Sequence, residues 1–146
     1  MDNQQRKQLF EKALQLGWRE PDWRHQTPLP LVSLEDFFVG NDDQYSISVN
    51  LTDHPGLEAF YEILKQLRAK AGIRDVLVEI YYLPENETEW ALAEKVFVIT
   101  DAEIVGVAQD LKQLQPSDEF KCEELGLLNP IPAPPENSNI YVITWD

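Results

Sequence analysis

With 146 residues, 43% of them apolar, the chain suits one domain that buries roughly 70% of its unfolded surface without a disulfide or metal. Its 12 basic and 26 acidic side chains give a net charge of −14, and one cysteine, Cys122, leaves neither an internal disulfide nor a cysteine-based zinc site. Residues 1–25 carry five basic and four acidic side chains, so the remaining 121 net −15, a balance that repels nucleic-acid phosphates and anionic lipid and attracts a basic protein or a cation.

Residues 3–16 predict a helix, with Phe10, Ala13 and Leu14 at helical spacing and Gly17 as its stop. The start is polar, with no apolar run of signal-peptide type, and no stretch approaches the ~20 apolar residues of a membrane span. A cytoplasmic protein is expected. Trp18 and Trp23 then sit in an arm that ends on Pro28 and Pro30 and is too proline-rich for regular structure. Ser33 and Asp36 form a capping box for a short helix that stops at Gly40, and residues 41–43 form an Asx turn. Residues 45–51 alternate: Ile47, Val49 and Leu51 on one side, Ser46, Ser48 and Asn50 on the other, the pattern of a half-buried strand. His54-Pro55 opens a helix over 55–71 with the stripe Leu57, Phe60, Tyr61, Leu64, Leu67 and Ala71. Strands are predicted over 75–83 and 95–99, with an acidic loop over 84–90 between them. A second capping box at Thr100 to Glu103 opens a helix over 101–114. Residues 116–139 form a long connection with a possible helical turn at 118–125, and a last strand covers 139–145.

Between residues 45 and 145 the order is therefore β-α-β-β-α-β. That predicts an α+β, ferredoxin-like split βαβ core with a four-stranded, largely antiparallel sheet. Residues 1–40 add an N-terminal helix and an irregular arm packed on the 45–146 core, all in a single domain 1–146. The strands beginning at Tyr45 and Lys95 would be central, and those at Asp75 and Ile140 edges. Two helices cover one face. The other is apolar and aromatic, so it needs a cover. The arm folding back, a second copy in a homodimer, or a ligand or protein partner are the three options. Trp18, Trp23, Phe97, Tyr141 and Trp145 are the candidate interaction residues.

Candidate chemistry is thin. Glu35, Asp36, Asn41, Asp42 and Asp43 place five oxygen-bearing side chains in nine residues, the ligand type of hard cations, yet the calcium-loop order is absent and caps and turns already require them. His25 and His54 lie 29 residues apart with no metal-ligand spacing. Cys122 lies beside Glu123 and Glu124, whose charge disfavours a thiolate. Glu85, Glu87 and Glu89 alternate along a loop as a solvated acidic face. No cofactor motif is present and none is expected.

The stretch over residues 28–50, PLPLVSLEDFFVGNDDQYSISVN, resembles the signature stretch of an uncharacterised bacterial family. The resemblance implies a bacterial, single-domain protein, assigns no activity or site, and singles out residues 33–43 for testing. The residues themselves suggest a non-catalytic acidic protein that binds a protein partner, such as an inhibitor or immunity protein neutralising a basic one. The alternative is a small-ligand or cation binder, or an enzyme, using Glu35, Asp36, Asp42 and Asp43.

Overall fold

A computed structural model of the protein describes residues 1–20, 29–101, 110–122 and 139–145, with residues 120–122 described by backbone alone. The first helix, α1, spans Asn3–Gln15. It starts at Asp2, whose carboxylate accepts from the backbone N–H of Gln4 at 3.0 Å and Gln5 at 3.1 Å. Leu9 and Ala13, one turn apart, carry its buried face. Leu14, expected on that face, is 56% exposed, because one residue beyond Ala13 is a rotation of about 100° away.

A five-stranded sheet organises the rest. Its strands are β1 Leu31–Ser33, β2 Ile73–Tyr82, β3 Leu92–Thr100, β4 Asp118–Cys122 and β5 Asn139–Thr144. Their spatial order is β1-β2-β3-β5-β4, and every neighbouring pair is antiparallel. Helix α2, Leu34–Phe38, begins at Ser33, whose hydroxyl accepts from Asp36 N–H at 3.0 Å, as the capping box predicts. Helix α3, Leu57–Arg68, buries Leu57, Phe60, Leu64 and Leu67. With α1 and α2 it packs on the face formed by Val32, Val76, Val78, Val96, Val98, Tyr141 and Ile143.

The alternation over residues 45–51 does not become a strand. Ser46, Ile47 and Ser48 are all buried, whereas Val49 is 48% exposed, the reverse of the expected parity for the serines and for Val49. The cause lies in the backbone: Ser48 has φ +59°, left-handed space that no strand residue occupies. One parallel bridge, Ile47 to Ala93, remains. The centre of the sheet is β3 between β2 and β5, with β1 and β4 at the edges. β1 lies at the end of the arm where prolines argued against regular structure. Its three residues fit because they follow Pro30, whose carbonyl still accepts from Ile80 N–H at 2.9 Å. Likewise residues 118–122, expected as part of a helical turn, pair in register with β5. Trp23 and His25 of the arm and most of the helix expected over 101–114 lie outside the described residues, as does the Cys122 side chain.

Candidate functional site

The structure does not gather the acidic candidates. Glu35 is held by Arg68 through two 2.7 Å contacts, one to each carboxylate oxygen, with Tyr61 Oη at 3.5 Å. The Arg68 hydrogen bond, helped by its charge, lowers the Glu35 carboxyl below the usual carboxylate range, and Glu35 in turn raises the Arg68 guanidinium. Asp36 pairs with Lys12. Asp42 pairs with the Met1 amino group at 2.5 Å. Asp43 accepts from Tyr45 N–H at 3.2 Å and Trp90 N–H at 3.3 Å, tying the 41–45 turn to the end of the acidic loop. Asn41 binds Ser46 Oγ at 2.9 Å and Asp43 N–H at 2.9 Å. These are structural duties, and among the described residues no three of His, Cys, Asp and Glu are placed to hold a metal ion.

His54 is occupied too. Its Nδ1 accepts from Gly56 N–H at 3.0 Å and its Nε2 donates to Ile47 O at 2.7 Å, which fixes the tautomer and leaves neither nitrogen for a metal. Its ring lies 5.8 Å from Tyr45 and 5.2 Å from Phe60.

Arg6 shapes the acidic surface. Its guanidinium donates to the carbonyls of Glu89 at 2.7 Å, Asn86 at 3.0 Å and Pro84 at 3.1 Å, and it lies 4.0 Å above the Phe10 ring. An arginine from the least acidic part of the chain thus folds the 84–90 loop by its backbone. The side chains of Glu85, Glu87 and Glu89 remain in water, without an ion pair among the described residues. Trp90, fully buried, anchors the loop. Its indole N–H has no partner, and neither has the buried Ser48 hydroxyl nearby in the chain's fold against Ala93. An orphaned buried donor costs about 1–3 kcal/mol, and the left-handed backbone at Ser48 about 1–3 kcal/mol more.

The candidate interaction residues are divided between the two sheet faces. Antiparallel register pairs Phe97 with Val142 and Val98 with Tyr141. Phe97 therefore shares a face with Leu31, Leu77, Ile99, Ile140 and Val142, whereas Tyr141 and Trp145 join the helix-covered core. Trp145 is 1% exposed, donates from Nε1 to Leu114 O at 2.7 Å and meets Phe60 edge-on at 5.5 Å. Trp18 is half-buried against Tyr82 and donates to Tyr81 O at 3.3 Å. Phe97 and Tyr141 are 5% and 7% exposed, so both are covered within the chain itself.

The Phe97 face also carries a polar row that periodicity alone does not mark: Glu79, Lys95 and Thr144 occupy consecutive cross-strand positions. Burial raises the Glu79 carboxyl, with Lys95 opposing and Glu94 adding to the rise. Burial also raises the neighbouring Tyr81 phenol. Thr144 Oγ1 is buried without a partner.

Helices on one side of an antiparallel sheet place the protein in the α+β class. The Uncharacterized protein YfbO family matches residues 4–143, and the chain belongs to that family. It is 38% identical over 76 residues to "Uncharacterized protein YfbO" of Escherichia coli (strain K12), covering 52% of this chain and 53% of that protein, so the chain spans about half the length of the curated relative it matches. No solved structure matches. Among the described residues no helix is long and apolar enough to cross a membrane.

Proposed function

We propose that the protein is a non-catalytic, single-domain, cytoplasmic interaction protein that binds a basic protein partner through its acidic surface. One observation carries this reading. Acidic side chains outnumber basic ones 26 to 12, and five of the basic ones, Lys12, Lys65, Arg68, Lys70 and Arg74, already hold another carboxylate. Asp53, Glu58, Glu85, Glu87 and Glu89 stay exposed on rigidly held loops or at a helix start. Carboxylates spread in this way attract a basic surface over several ångströms of solvent and speed its approach. The same charge disfavours nucleic acid and anionic membrane as partners.

For the core, the split βαβ reading is supported by α3 leading into β2 and by the antiparallel β2–β3 hairpin that follows. The parallel Ile47–Ala93 bridge is opposite to the antiparallel direction that arrangement requires between its first and third strands. The direct pairing of β3 with β5 also weighs against that reading.

The reading is tested by affinity capture from native lysate at low and high salt, using the wild-type chain and a Glu85→Lys, Glu87→Lys, Glu89→Lys variant. The expected result is a specific basic protein, retained at low salt and weakened by charge reversal. Capture indifferent to both salt and charge reversal would refute it.

A further inference from the structure

The loop from Tyr45 to His54 joins exposed apolar side chains to a strained backbone that is hydrogen-bonded to β3 through Ala93. Tyr45 is 61% exposed and Val49 48%, while the three residues between them are buried. The backbone reaches this arrangement through a left-handed residue, Ser48, whose buried hydroxyl is left unpartnered. The extended form that would turn Val49 inward is closed off, because β5 pairs with most of that side of β3. Strain that displays an aromatic and an aliphatic side chain, instead of hiding them, is the mark of a presented surface.

The loop is also pre-organised. Ile47 is locked by its bridge to Ala93, and Asp43 fixes the Tyr45 backbone. The Tyr45 ring rests against His54, which is itself held at both nitrogens. Little freedom is left to lose on binding. Exposed carboxylates neighbour in sequence the residues that hold this loop, His54 against the Tyr45 ring and Leu57, whose N–H donates to Gln44 at 3.0 Å. Asp53 adjoins His54, and Glu58 lies in the first turn of α3; neither has an ion pair among the described residues.

We infer that Tyr45 and Val49 form a docking surface for a basic protein segment in which an arginine stands beside an aliphatic side chain. The guanidinium would stack on Tyr45 and fork to Asp53 or Glu58, and the aliphatic group would cover Val49. Arginine fits better than lysine because its planar group both stacks and makes paired hydrogen bonds. A second copy of this chain would bring −14 against −14 and is disfavoured. The inference rests on the partner reading above and locates its contact.

The test titrates the full-length, isotope-labelled protein with the peptide acetyl-Arg-Leu-Arg-Leu-Arg-amide and follows amide shifts. Shifts concentrated over residues 42–58 are expected. Tyr45→Ser should weaken binding about tenfold, as loss of an aromatic anchor does, while Tyr45→Phe should retain it. Leu14→Ser, at an equally exposed side chain on α1, should change nothing. Shifts spread evenly over the acidic surface and unaffected by Tyr45→Ser would overturn the inference, as would no shifts at all. If Tyr45→Ser still captures a native partner at full strength, the partner reading stands and this contact falls. If the wild type captures none, while the peptide binds at Tyr45, the reverse holds.

Discussion

Two glutamates show how residue surroundings set opposite pH signatures. Glu79 sits half-buried on the Phe97 face, its carboxyl raised by desolvation. A raised acid favours the folded state while protonated, and that benefit is lost as pH rises through the raised value. At neutral pH the ionised group is a liability, so Glu79→Gln should stabilise by roughly 1 kcal/mol, about 2–4 °C for a chain of this size. The gain should vanish towards pH 4. Glu35 behaves oppositely: Arg68 lowers its carboxyl, so its contribution is present above the usual carboxylate range and fades as pH falls through the lowered value. Because the pair is half exposed, Glu35→Gln should cost under about 1 kcal/mol at pH 7 and nothing near pH 2. Thermal melts of both variants from pH 2 to 8 check the signs. The buried tryptophans give a second contrast. Trp145→Phe removes a 2.7 Å hydrogen bond and orphans Leu114 O, whereas Trp90→Phe removes a donor that has no partner. Both leave a cavity, but in urea melts Trp145→Phe should be the costlier by about 1 kcal/mol.

At the scale of elements, the tightest junction joins α1 to the end of α2. Gly40 has φ +81°, its carbonyl accepts from Asp2 N–H at 2.9 Å, and a Cβ there would lie 2.8 Å from Asp2 Cβ and 3.0 Å from Gln5 Cβ. Gly40→Ala therefore strains the backbone and displaces the residue that caps α1. A loss of about 2 kcal/mol or more is expected, read as a fall in denaturation midpoint. This junction was half legible in sequence, where Gly40 marks a helix stop but nothing marks its distance from Asp2. The elements that sequence resolved best have strong local signals: the α3 stripe, the Ser33 capping box, and the Val- and Ile-rich β2, β3 and β5. What it misplaced depended on long-range pairing. Residues 45–51 carry strand alternation, but β5 already pairs with most of that side of β3, and the loop turns at Ser48 instead. Phe97 and Trp145 looked like one surface because face parity between strands is set by register, and the Phe97–Val142 pairing puts them on opposite sides. The acidic candidates at Glu35, Asp36, Asp42 and Asp43 were close in sequence, yet their partners Arg68, Lys12, Met1 and Trp90 draw them to separate duties.

For the whole molecule, one quantity bears on both stability and binding. A net charge of −14 on 146 residues makes the folded chain repel itself, and salt screens that repulsion over about 10 Å at 0.1 M. Raising salt from about 0.01 to 0.2 M shortens the screening length by roughly four- to fivefold. It should therefore raise the melting temperature by a few degrees, although the ion pairs of Lys12, Arg68, Lys70 and Arg74 are weakened at the same time. Those pairs are exposed and individually worth little, so the sum of unpaired carboxylates decides the sign. Binding of a basic partner should move the other way, weakening over the same range. Melts and binding isotherms in one salt series separate the two roles of the charge. Opposite slopes are expected if the acidity serves recognition. A rising melting temperature with a flat binding isotherm would leave the charge only the task of keeping the protein soluble.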